Sequence, residues 1–129
     1  VVSRDTTVHL TVVALALAGL AAVTQFPSDP AVTALVLVGY NGAVLAGAHL
    51  YLAWRGEDGI VPVAARWRFV AAVAAVLSLA ALTVLTDPVT IGPLASDALL
   101  GFAAAVVAVG YQFVEARDGY RESTADGAR

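Results

Sequence analysis

The side chains with chemical reach are few. His9 and His49 are the only two histidines. A neutral imidazole can ligate haem iron, and the ring titrates near neutral pH. Two such rings on adjacent helices would supply an axial haem pair, a quinone contact or a proton relay. Gln112 and Glu115 are the candidates to orient those rings by hydrogen bonding. Asn41 and Ser78 are polar groups set in apolar surroundings, and an interhelical hydrogen bond is their expected use. The bland reading of His9 and His49 is packing, with the polar edge reaching toward headgroups. That reading is preferred, so no cofactor is expected and haem is the alternative.

Other chemistry is excluded by composition. There is no cysteine, so disulfides, thiolate metal sites and cysteine nucleophiles are absent. Two histidines are too few ligands for a structural zinc site, so no metal is expected. The chain carries no lysine-bearing phosphate loop, nucleophile elbow or HExxH motif. Glu57 and Asp58 read as a solvated acidic pair in a loop. Tyr40, Tyr51 and Tyr111 read as packing residues with a polar handle.

The setting of these groups is a chain of 129 residues that is 60% hydrophobic and 13% charged. Soluble domains carry about 25% charge. Ala, Val and Leu fill 65 of the 129 positions. The charge is −3, with seven Arg and no Lys, which argues against a nucleic-acid surface. The lack of Lys and the surplus of acids fit a GC-rich genome such as that of a halophilic archaeon.

Four stretches are long enough to cross about 30 Å of hydrocarbon. They run from Val8 to Phe26, Val32 to Trp54, Trp67 to Thr86 and Leu94 to Val114. The fold class is therefore all-α: an integral membrane protein built as one compact four-transmembrane-helix bundle. Residues 115–129 form a short charged tail that extends the last helix and then frays. The first span is read as a true span, because its apolar run is long for a signal peptide and Phe26-Pro27 is a poor cleavage site.

The breaks have physical causes. Pro27 and Pro30 separate the first two spans, and Asp87-Pro88 and Gly92-Pro93 bracket the third gap. Proline lacks the helix donor and restricts the residue before it. Arg4 precedes the first span, Arg55, Arg66 and Arg68 fall at the second gap, and Arg117, Arg121 and Arg129 follow the last span. The opposite side receives Asp29, Asp87 and Asp97 and no Arg. The positive-inside rule then places both termini in the cytoplasm and the protein in the cell membrane. Tyr51, Trp54, Trp67 and Phe69 fall at the cytoplasmic interface, where aromatic rings anchor.

Counting about 1.5 Å per residue sets depths. Asn41 lies about 3 Å outward from the middle of its span; His49, His9 and Gln112 lie roughly 9, 12 and 10 Å inward. An inner polar cluster of His9, His49, Gln112 and Glu115 is the resulting expectation. No Asp, Glu, Lys or Arg falls at mid-depth, which argues against a proton-coupled pump. The first-helix glutamate of small multidrug exporters is also missing.

Small residues let helices approach in lipid. Ala14 and Ala18, then Gly39, Ala43 and Gly47, and finally Gly101 and Ala105 each recur at a spacing of four, on one helix face. These stripes are expected to pack the bundle or join copies of it. Asp29-Pro30 and Asp87-Pro88, with Tyr51/Asp58-Gly59 and Tyr111/Asp118-Gly119, hint at two similar halves; independent recurrence of turn residues in low-complexity helices is the preferred explanation. The function that fits is a small non-catalytic accessory or structural subunit, a homo-oligomer or part of a larger membrane complex. The alternatives are a haem- or quinone-associated electron-transfer subunit using His9 and His49, and a small oligomeric channel or transporter.

Overall fold

The computed structural model describes residues 1–129. Helix α1 spans Arg4–Val23, α2 Pro30–Trp54, α3 Val63–Leu85 and α4 Ser96–Gly127, and each is long and apolar enough to cross a membrane. A small hairpin, β1 (Thr90–Ile91) and β2 (Leu94–Ala95), joins α3 to α4.

The helix ends obey local chemistry. Ser3 caps α1, its Oγ accepting from the Thr6 amide, and Asp5 sits in the first turn, where the helix dipole favours an acid. The helix thus starts four residues before Val8, and His9 lies inside it rather than at its edge. Asp29 caps α2 by accepting from the Val32 amide at 2.8 Å, with Pro30 at the first helical position. Gly56, at φ +66°, stops α2. The Gly56 and Glu57 amides close back on Ala53 and Leu52, the bonds of a Schellman cap. Asp58 Oδ1 accepts from the Val63 amide at 2.9 Å and starts α3. Gly92, at φ +62°, makes the hairpin turn, and Ser96 closes it through bonds with Val89.

Helix α2 contains one wide turn, a π segment at Ala43–Gly47. Such a turn adds a residue and rotates the remainder of the helix by about 100°. His49 lies in the rotated part.

The helices pack in chain order: α1 on α2, α2 on α3 and α3 on α4, without an extensive contact between α1 and α4. The arrangement is an open row rather than a closed ring. Seven residues are buried, among them Ala34, Ala46, Ala48 and Leu52 in α2 and Ala81 in α3. The core therefore lies along the α2–α3 seam. Large apolar side chains such as Leu15, Phe102 and Phe113 face outward, as a surrounding bilayer requires.

Two expectations change here. The expected extension of the last helix is present and is longer than a short one: α4 runs on to Gly127. Its first extra turn is held by α3, because Arg68 pairs with Glu115 at 2.9 Å and with Asp118 at 3.6 Å. The small-residue stripes also divide. Gly47 sits where a Cβ would lie 2.8 Å from Val12 Cγ1, so that glycine is a close approach between α1 and α2. Ala43 is half-buried beside it. Gly39 and Gly101 have nothing within 4 Å of a Cβ position, and Ala14, Ala18 and Ala105 are exposed. The inward face of α1 is made by Val12, Val13, Ala16 and Leu20 instead.

Candidate functional site

Three of the chain's six ion pairs gather where the ends of α1, α2 and α3 meet. Arg66 stands in the first turn of α3, a poor place for a cation in the helix dipole. Its side chain turns inward and is fully buried. Three acceptors hold it. Nε donates to the Val61 carbonyl at 3.1 Å, Nη1 to His49 Nδ1 at 3.3 Å and Nη2 to Asp5 Oδ2 at 2.9 Å. A buried guanidinium is tolerable only with such a full set of partners.

Arginine has no acceptor atom, so His49 Nδ1 must present a lone pair to it. His9 Nδ1 lies 2.7 Å from the Asp5 carbonyl. A carbonyl cannot donate, so that nitrogen carries a proton. The two rings therefore hold fixed and opposite assignments. They meet edge to face, with centroids 5.1 Å apart. Asp5, Arg66, His49 and His9 close a circuit, with Asp5 contributing its carboxylate at one end and its carbonyl at the other.

The circuit continues as a row of rings, one from each helix. His49 meets Phe69 at 4.9 Å, and Phe69 meets Tyr111 at 5.9 Å. Gly59 covers the ion pair. A Cβ there would lie 3.1 Å from Asp5 Oδ1 and 3.4 Å from Arg66 Nη2. Outside the circuit, Glu57 takes Arg4 at 2.9 Å and Arg55 at 3.5 Å.

His9 and His49 are thus brought together as the spans implied, but Gln112 and Glu115 do not join them. Gln112 is exposed, and Glu115 is taken by Arg68 on the α3–α4 side. Asn41 does not reach Ser78. Its Nδ2 donates to the Leu37 carbonyl of its own helix at 2.9 Å, while Ser78 is exposed. A polar side chain can satisfy one donor on the preceding turn without a partner helix.

Sequence reasoning does not single out Asp5, Gly59 and Arg66 as site residues, since all three lie outside the apolar spans. A signal exists. Asp5 precedes His9 by four residues and Arg66 precedes Phe69 by three, spacings that put each pair on one helix face.

Haem does not fit the histidine pair. Axial ligation needs two imidazole nitrogens facing each other across the width of a macrocycle. Here the rings touch directly, His49 is flanked by Phe69, and its Nδ1 is committed to Arg66. Nor does any group of three or more His, Asp or Glu stand in a metal-holding arrangement. What the circuit does chemically is fasten three helices at one end. No family model, curated protein or solved structure matches this chain.

Proposed function

We propose that this small membrane-spanning protein is a non-catalytic accessory or structural subunit. Both termini face the cytoplasm, and it assembles with copies of itself or with a larger complex in the cell membrane. One observation carries this reading. The small-residue faces of the two outermost helices, Ala14 and Ala18 on α1 and Gly101 and Ala105 on α4, point away from the chain's own core. Each of these helices packs on a single neighbour, so each keeps a flank on which another helix can approach closely. The reading is supported by the circuit itself, in which each side-chain nitrogen of Arg66 has an acceptor within the protein, Asp5 Oδ2 among them.

The test is native mass spectrometry of the protein extracted from its own membrane in mild detergent. A homomer or a defined heteromer is the expected result, and Ala18→Leu or Ala105→Leu should shift it toward the single chain. A single chain under all gentle conditions would refute the assembly. A Soret band belonging to this chain would refute the accessory role in favour of electron transfer.

A further inference from the structure

Away from the ion pairs, α1 and α2 part toward the turn that joins them. The gap is a cleft of about 490 Å³. Its walls include Leu20 and Val23 of α1 and Val36 and Leu37 of α2, and Ser28 and Thr33 stand nearer the turn. No charged side chain lines it. Asn41 closes the deep end, roughly 16 Å along the α2 axis from Pro30 and close to the midpoint of the 25-residue span.

Asn41 is the informative residue. One hydrogen of its amide goes to the Leu37 carbonyl. Its Oδ1 has no partner in the protein, and yet no fully buried side-chain oxygen or nitrogen in the structure lacks one. The Asn41 carbonyl is therefore not sealed in protein, and Asn41 is one of the residues that line the cleft. Mid-span lies in hydrocarbon, where an open amide acceptor costs free energy unless something donates to it. Lipid tails carry no donor.

We infer that the α1–α2 cleft binds a neutral lipophile bearing a hydroxyl group, with the hydroxyl on Asn41. The hydroxyl donates to Asn41 Oδ1 and accepts the second amide hydrogen. The hydrocarbon body lies along Leu37, Val36, Leu20 and Val23 toward the turn. A charged ligand is disfavoured by the lining. A volume of this size belongs to the usual range for small-molecule sites. The inference does not depend on what the protein assembles with.

The experiment measures binding of radiolabelled farnesol to the full chain in lipid nanodiscs, beside farnesyl methyl ether and farnesene. Farnesol should saturate at one molecule per chain. The ether, which can accept but not donate, should bind about tenfold more weakly, the worth of one hydrogen bond, and the hydrocarbon, which makes neither bond, more weakly still. Asn41→Leu should bring farnesol down to the level of the hydrocarbon, and Val36→Trp should abolish saturable binding by filling the cleft. Unsaturable partitioning, or equal binding of all three compounds, overturns the inference. So does a folded Asn41→Leu variant that binds farnesol as the parent does. Should either variant fail to fold, the comparison of alcohol, ether and hydrocarbon on the parent chain decides alone.

Discussion

Arg66 Nη2 and Asp5 Oδ2 stand 2.9 Å apart across 61 residues of sequence. They join the first turns of α1 and α3, two helices that share no extensive packing of their own. Lipid offers no hydrophobic drive for helix association. One ion pair, with the imidazoles of His49 and His9 behind it, therefore serves as the main direct link between α1 and α3.

Removing the carboxylate should be costly. Asp5→Leu leaves the buried guanidinium without its counter-charge, and breaking such a pair costs about 3–5 kcal/mol. The Asp5 side chain is 21% exposed, so the lower end of that range is expected. Combining Asp5→Leu with Arg66→Met should recover most of the loss, because no buried charge remains. Reversible unfolding in mixed micelles measures both. Equal destabilisation by the single and double changes would remove the pair as the cause.

Two glycines of one stripe should behave differently. Gly47→Leu drives a side chain into Val12 and should cost roughly 1–3 kcal/mol, as overpacking does. Gly39→Leu meets open space and should leave the melting transition within about 0.5 kcal/mol. Val12→Ala should partly rescue Gly47→Leu. A rescue that fails would place the strain elsewhere.

The tail of α4 should come loose without the fold doing so. Arg68→Ala removes the bonds to Glu115 and Asp118. Exposed, screened pairs of this kind contribute little to stability, so the global unfolding transition should hardly move. Hydrogen exchange should accelerate after Glu115, while the amides of α2 stay protected. Uniform acceleration along the chain would contradict a local role.

Orientation is open to a labelling test. Single cysteines at Ser28 and Val89 should react with an impermeant reagent on intact cells, and those at Ile60 and Ser123 should stay protected. The reverse pattern would turn the protein over in the membrane. Labelling at Ser28 but not Val89 would remove the even number of crossings.

The apolar runs and their breaks are enough to read four spanning helices, because hydrocarbon enforces length and composition on any segment that crosses it. The meeting of His9 and His49 is also legible, since antiparallel spans place equal depths side by side. The boundaries are less so. A capping serine at position 3 and a capping aspartate at 58 extend α1 and α3 into residues that hydropathy assigns to loops.

Tertiary structure alone decides the rest. Sequence periodicity shows that Ala14 and Ala18 share a face, but not whether that face meets a helix or lipid. The apolar surface of either is alike, and the choice falls to the neighbouring helix. Gly47 is selected over Gly39 because Val12 comes within reach of one and not the other. Arg66 sits beside the membrane boundary, where an arginine ordinarily snorkels to water. It is buried here because Asp5, His49 and Val61 supply three acceptors at once, and only the fold brings those three together.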